Sequence, residues 1–197
     1  MLEWVWAGYD LLIIEIMNKV NWTLAQDDLE REITQLLEPR IRRCMPAEAF
    51  CYIQHGPGER ETRMPSPAQP PEYDLAFVLF SNERVMWPME AKVMSTDQDT
   101  APYVADVVNE FLTCRYAPFS GEGAMIGYLL SGTPSRAFVK IEAALGVKLT
   151  NWVPFSSRDH RISVHSRRVP DGKEYPKRFR CHHLLMRLGN ESTPAKR

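Results

Sequence analysis

The chain has few cysteines, and no two of them are spaced as a CxxC pair. Only four of its 197 residues are cysteine: Cys44, Cys51, Cys114 and Cys181. The first residues also lack the basic stretch and small-residue cleavage site of a secretory signal. We therefore expect reduced thiols in a cytoplasmic protein, rather than a disulfide-stapled or zinc-ribbon fold.

A strong net charge, an uninterrupted apolar run and a nucleotide-binding glycine motif are absent as well. The net charge is −1, with 44% hydrophobic and 25% charged residues, which is ordinary for one globular domain. Charged residues interrupt the apolar N-terminus, so it is not predicted to span a membrane. Neither a Walker A nor a GxGxxG pattern occurs, which excludes a nucleotide-driven motor of those kinds.

The charges that are present are unevenly distributed. Residues 1–40 contain eight acidic and three basic side chains, whereas residues 158–180 contain eight Lys or Arg and three Asp or Glu. A basic end on a neutral protein is suited to nucleic-acid phosphates, although it can equally be a solvated polar face. The candidate phosphate-binding residues are Arg161, Arg167, Arg168, Lys177 and Arg178.

Hydrophobic periodicity predicts an α/β fold with a central mixed sheet flanked by helices. The sequence forms a single domain, 1–197, with a core at about 23–145, an N-terminal helix at 2–20 and C-terminal strands at about 161–188. Strands are expected at 48–54, 73–80, 85–93, 124–130, 161–168 and 179–188, and further helices from 23, at 99–115 and at 134–145. A Gly/Pro-rich stretch at 55–72 is expected to be an exposed loop.

The N-terminal helix is apolar nearly all round, from Trp4 and Trp6 through Ile13, Ile16 and Met17. A helix of this kind has to be buried, either in its own core or against another protein. Both remain open, and the second makes this helix a docking element for a protein partner.

Three polar residues interrupt the two apolar strands at 73–80 and 85–93. Asp74 opens the first, while Glu90 and Lys92 are two residues apart in the second and project from one face. If the strands pair antiparallel, the start of the first meets the end of the second. Two carboxylates and an ammonium then converge at one edge of the sheet.

Carboxylates at close range repel each other unless a cation lies between them. Mg²⁺ prefers oxygen ligands, so Asp74, Glu90 and the backbone carbonyl of Ala91 form a candidate metal site. The metal would activate water, and Lys92 would orient that water or stabilise the developing charge. The alternative is that these are surface carboxylates with Lys92 as a salt-bridge partner.

The segments Glu-Tyr-Asp74 and Met-Glu90-Ala-Lys92, with a helix before them and a helix and strand after them, resemble the PD-(D/E)XK nuclease superfamily over about residues 23–145. Tyr73 stands where the family name has proline. The resemblance implies a restriction-endonuclease-like core and Mg²⁺- or Mn²⁺-dependent cleavage of DNA. It also implies a further ligand from the first core helix, with Glu30 preferred over Glu32 and Glu38.

The stretches at 111–132 and 181–188 are also similar to effector nucleases of bacterial anti-phage defence systems. That similarity makes Arg115 and Glu122 secondary site candidates. Because the sequence has no motor and no separate sequence-reading module, we expect a partner protein or a trigger to control a potentially toxic activity. Two alternatives stay open: a non-catalytic partner-binding subunit with the same fold, and an RNA-cleaving toxin. The Cys181-His182-His183 run is not expected to bind zinc, because neighbouring strand residues point to opposite faces.

Overall fold

The computed structural model describes residues 1–16, 20–59, 61 and 70–188. The helices are α1 (Leu2–Ile16), α2 (Gln26–Cys44), α3 (Ala101–Asp106) and α4 (Pro134–Leu145), with a π-helical turn at Val107–Phe111 and a 3₁₀ turn at Val153–Phe155. The strands are β1 (Cys51–His55), β2 (Leu75–Leu79), β3 (Met86–Met94), β4 (Glu122–Leu129), β5 (Thr150–Asn151), β6 (His160–Ser166) and β7 (Arg178–Arg187).

The seven strands form one mixed sheet in the order β1-β2-β3-β4-β7-β6-β5. Strand β2 runs antiparallel to both of its neighbours, β1 and β3. Strand β4 lies parallel to both β3 and β7, and β6 and β5 complete the sheet as antiparallel additions. The prediction of a central mixed sheet flanked by helices is confirmed.

Each face of the sheet is covered by two helices. Helices α1 and α2 pack on the face that carries Ala91 and Val93, whereas α3 and α4 pack on the face that carries Met94 and Met125. Alternate residues of a strand point to opposite faces, so the two layers receive alternate side chains of β3.

The element order in the core is helix, three strands, helix, strand, as the periodicity predicts. The expected helix at 99–115 is wrong in its shape: α3 ends at Asp106 and continues as a π-helical turn, with the Leu112 N–H donating to the Val107 carbonyl at 3.0 Å. Local periodicity does not reveal such a widening of the helix, because a single π-helical turn is too short to change the apolar pattern recognisably. The two-residue strand β5 was not predicted.

Helix α1 packs into its own domain. Val5, Trp6 and Leu12 are buried, and the Tyr9 hydroxyl donates to the Arg187 carbonyl at 2.8 Å. Ile14 is the one large hydrophobic residue of the described helix that is mostly exposed, at 78%. The interpretation of α1 as a docking element therefore lacks the apolar patch that motivated it. Residues 17–19 of the expected helix at 2–20 lie outside the described residues.

All four cysteines are free, as predicted. Among the described residues, no helix is long and apolar enough to cross a membrane. Of the expected loop at 55–72, residues 60 and 62–69 lie outside the described part of the chain.

Candidate active site

The candidate site lies where β2 and β3 stop pairing. Their ladder ends at the pair Leu75–Met89, so β3 continues beyond it with an open edge. The Ala91 N–H on that edge donates to Oδ2 of Asp74 at 2.7 Å, and the Val93 N–H donates to Oε2 of Glu30 at 2.8 Å. Carboxylates therefore take the place of the missing strand. The Ala91 carbonyl leaves the strand on the same side as its N–H, so it points into the same gap.

Glu90 is buried next to this gap, with 8% of its surface exposed. Its Oε1 lies 3.2 Å from Nζ of Lys92, while its Oε2 is buried without a hydrogen-bond partner among the described residues. Burial and the nearby charge of Asp74 raise the pKa of Glu90 well above its ordinary value, although Lys92 opposes this. A buried acceptor without a donor is costly, and its free oxygen is available to a cation.

The ammonium of Lys92 is held between three carboxylates. Its Nζ lies 3.1 Å from Glu30 Oε1, 3.2 Å from Glu90 Oε1 and 3.1 Å from Asp106 Oδ2. Burial alone would lower the pKa of Lys92, but the surrounding carboxylates, with Glu90 foremost, raise it instead. Lys92 is therefore a cation at neutral pH, suited to stabilising negative charge rather than to accepting a proton.

Of the three glutamates considered on the first core helix, the structure brings Glu30 to the site. It contacts both the Lys92 ammonium and the Val93 N–H, and burial raises its pKa. Glu32 instead accepts from the Asn21 N–H, and Glu38 pairs with Arg42 one turn further along α2.

Asp106 was missed by the sequence analysis. It is the last residue of α3, immediately before the π-helical turn, and burial raises its pKa. The available signal was its position next to Val107 on the inward stripe of the helix, which places a carboxylate toward the sheet.

The arrangement is compatible with one divalent cation that keeps several waters. No group of three or more His, Cys, Asp or Glu side chains within the described ranges could hold a metal unaided. The candidate oxygen donors that remain are those of Asp74, Oε2 of Glu90 and the Ala91 carbonyl, and they are of the kind that Mg²⁺ prefers.

A polar cleft of about 240 Å³ opens beside Asp74 and Glu30. Its remaining walls are Asp27, Arg31, His55, Gly56, Glu72 and Tyr73. Tyr116 closes the site from the other layer, where its hydroxyl donates to the Glu72 carbonyl. Asp74 therefore accepts from the open edge of β3 and also lines this cleft.

The five predicted phosphate-binding residues do not form one surface. Arg168, Lys177 and Arg178 are exposed, and Arg168 lies against the π-helical turn, where it donates to the Val108 carbonyl at 3.3 Å. Arg161 is half-buried with its guanidinium 4.8 Å from the centre of the Phe138 ring.

The prediction that Arg167 binds phosphate is wrong. It is 7% exposed, and its guanidinium donates to the carbonyls of four residues in the segment 111–120: Phe111, Tyr116, Ala117 and Ser120. Its N–H groups are occupied in holding this segment, so it is not available to phosphate.

Among the described residues, neither secondary candidate is one of the groups that pair with Lys92. Arg115 is paired with Glu110 at 3.0 Å on the segment that follows the π-helical turn. Glu122 begins β4, two residues before the partner of Met89, and it pairs with Arg180. The structure does not bring Glu122 to the site.

No protein-family model matches the chain, and neither a curated protein nor a solved structure is significantly similar to it.

Proposed function

We propose that this chain is a metal-dependent nuclease that hydrolyses phosphodiester bonds of DNA with Mg²⁺ or Mn²⁺. The observation that carries the proposal is the buried, unpartnered Oε2 of Glu90, next to Asp74 and beside the Lys92 ammonium. Two mutually repelling carboxylates held at an open strand edge are costly for stability, and a divalent cation removes that cost.

The element order supports the same proposal. Helix α2, strands β1 to β3, helix α3 and strand β4 follow each other as the resemblance to the PD-(D/E)XK superfamily implies, with β4 parallel to β3. Asp74 precedes β2, and Glu90 and Lys92 lie on β3.

In this mechanism Asp74, Glu90 and the Ala91 carbonyl would hold the metal. A bound Mg²⁺ would polarise a phosphodiester oxygen and lower the pKa of a coordinated water. Lys92, a fixed cation, would stabilise through its charge the phosphate oxygen on which negative charge develops. Exposed Arg168, Lys177 and Arg178 would hold neighbouring phosphates of the DNA backbone.

The test is cleavage of plasmid DNA, single-stranded DNA and RNA by the purified protein, with Mg²⁺, Mn²⁺ or EDTA. We expect DNA cleavage that stops with EDTA and falls below detection in Asp74→Ala and Glu90→Ala. Lys92→Ala should cleave about 100- to 1,000-fold more slowly while still binding DNA, the usual loss for one charge-stabilising donor.

Glu48→Ala is the matched control, because Glu48 is an exposed carboxylate before β1 and contacts none of these residues. Undiminished cleavage by Glu90→Ala would refute the assignment. Cleavage of RNA alone would favour the toxin alternative, and no metal-dependent cleavage of any substrate would favour the non-catalytic subunit.

We further propose that the nuclease is the effector of a bacterial anti-phage defence system and is controlled by a partner protein. The chain carries no nucleotide-driven motor motif, and an unregulated DNA-cutting activity harms its own host. Expression of the wild-type chain alone in bacteria is expected to reduce colony formation relative to expression of Glu90→Ala. Equal colony counts for the two proteins would contradict this form of control.

A further inference from the structure

Lys92 is contacted from both helical layers of the protein. Glu30 reaches it from α2 on one face of the sheet, through the gap left where β2 ends, and Asp106 reaches it from α3 on the other face. An ammonium on a flexible four-carbon chain is ordinarily mobile, so contacts from opposite sides restrict where it can lie.

The three carboxylates around Lys92 have different additional duties. Glu30 is also bound to the Val93 N–H, and Glu90 presents its second oxygen to the proposed metal. Within the described part of the chain, Asp106 makes one ion pair, with Lys92 at 3.1 Å. Its carboxylate has 24% of its surface exposed, so the pair is shielded from bulk water without being sealed off.

The backbone changes its helical form at Asp106. The helix changes from α to π at this residue, and π-helical turns are often found at functional sites. A change of helical form at Asp106 alters which side chains of the following turn face the sheet, while Phe111 remains fully buried.

We propose that Asp106 is a positioning residue that fixes the Lys92 ammonium between the two helical layers, where it also contacts Glu30 and Glu90. Without Asp106, the ammonium is left to the carboxylates of Glu30 and Glu90. It would then shift toward these two carboxylates and leave the position from which it stabilises charge on the phosphate. This inference rests on the proposed nuclease function.

The experiment measures kcat and KM for DNA cleavage in Asp106→Asn, Asp106→Glu and the charge-matched control Glu48→Gln. Asp106→Asn removes the charge at nearly constant size. We expect its kcat to fall about tenfold or more, with KM changed less than about twofold, because DNA is held elsewhere. Asp106→Glu keeps the charge and should cleave faster than Asp106→Asn, and Glu48→Gln should match the wild type.

A double-mutant cycle shows whether the effect passes through Lys92. Lys92→Ala and Lys92→Ala/Asp106→Asn should cleave equally slowly, since Asp106 has nothing left to position. A wild-type rate in Asp106→Asn, equal rates for Asp106→Asn and Asp106→Glu, or a further loss in the double variant would each overturn the inference.

A substrate-free measurement separates this inference from the proposed function. This measurement is urea unfolding of the wild type, Asp106→Asn, Lys92→Ala and the double variant. The urea midpoint should change by a different amount on Asp106→Asn substitution when Lys92 is present than when it is replaced by Ala. If the midpoints are additive, the contact does not exist and the inference fails. If the wild-type protein cleaves nothing, the nuclease proposal fails and the positioning role in catalysis falls with it, whatever the midpoints show.

Discussion

Lys92 and Arg167 are both cations inside the protein, but their surroundings differ. Lys92 is surrounded by carboxylates that carry charge, whereas Arg167 donates to neutral backbone carbonyls that have no other role in the site. The arrangement around Lys92 is suited to stabilising negative charge on a substrate, whereas Arg167 holds the segment 111–120 in place. Residue type alone does not distinguish them, because both are basic residues next to apolar sequence.

Arg167→Ala is expected to destabilise the fold by about 3 kcal/mol, since buried carbonyls of residues 111–120 would lose their donor. Arg168→Ala, at an exposed neighbouring position, should change stability by less than about 1 kcal/mol. Urea unfolding of the two variants makes the comparison. Equal stabilities would show that Arg167 does not hold this segment.

Helix α1 illustrates the element scale. Its apolar sequence required burial without specifying the covering surface, and the structure supplies α2 and the sheet for that purpose. Trp4 lies edge-to-face on Phe77 of β2, with ring centres 5.8 Å apart. Such contacts are made with residues far along the chain, which no periodicity within residues 2–20 can reveal.

Leu12→Ala should cost about 2–5 kcal/mol, as for other fully buried leucines, whereas Ile14→Ala should cost less than about 0.5 kcal/mol because Ile14 is exposed. Thermal or urea unfolding measures both. A docking helix would show the opposite pattern: Leu12→Ala would leave the isolated domain as stable as the wild type.

Helix α3 was predicted in the right place but in the wrong form. The inward positions Val107 and Phe111 are buried as expected. The π-helical turn, however, depends on how this segment packs on the sheet and on the following loop, where the Tyr116 N–H donates to the Glu110 carbonyl at 2.9 Å. That loop has its own long-range anchor in Arg167.

At the scale of the whole molecule, four of the five histidines are buried in the sheet. Trp6 donates to Nδ1 of His160 at 3.3 Å, which leaves the His160 proton on Nε2, facing Nδ1 of His182 at 3.0 Å. On the opposite face His183 lies between the Tyr103 hydroxyl and Ser163. Burial lowers the pKa of His160 and His183 to about 3 and that of His182 to about 4.

These lowered pKa values make stability depend on pH. The unfolded histidines take up protons near pH 6.5 and the folded ones do not, so their contribution is complete above pH 6.5 and is lost as pH falls toward 3–4. Glu30, Glu90 and Asp106 have raised pKa values and change the stability in the opposite direction. The folded protein holds their protons to higher pH than the unfolded chain does, so stability falls as pH rises and these groups ionise.

A comparison of wild type with His160→Gln isolates the histidine contribution, since the carboxylates are the same in both. The urea midpoint is expected to fall less between pH 7.5 and pH 5 in His160→Gln than in the wild type. A glutamine amide can accept from Trp6 and donate to His182 without titrating. Identical pH dependence in the two proteins would contradict the buried-neutral assignment of His160.

The local sequence by itself determined the strands β2 and β3, the placement of Glu90 and Lys92 on β3, and the position of Asp74 next to the start of β2. Alternation and apolar runs are short-range properties, and a two-residue spacing on a strand puts two side chains on one face. Helix α4 was predicted at its observed bounds for the same reason: the Thr133 side chain accepts from the Arg136 N–H at its start, and Gly146 adopts the left-handed conformation at its end.

Only the tertiary structure decided which other charges meet Lys92. Glu30 and Asp106 come from different helices on opposite faces of the sheet, and sequence spacing does not specify how two layers pack. It also decided that Arg167 is internal, that α1 is covered by its own domain and that Glu122 lies away from the site. Each of these depends on contacts between distant segments, whose free energy is set by three-dimensional packing and not by local propensity.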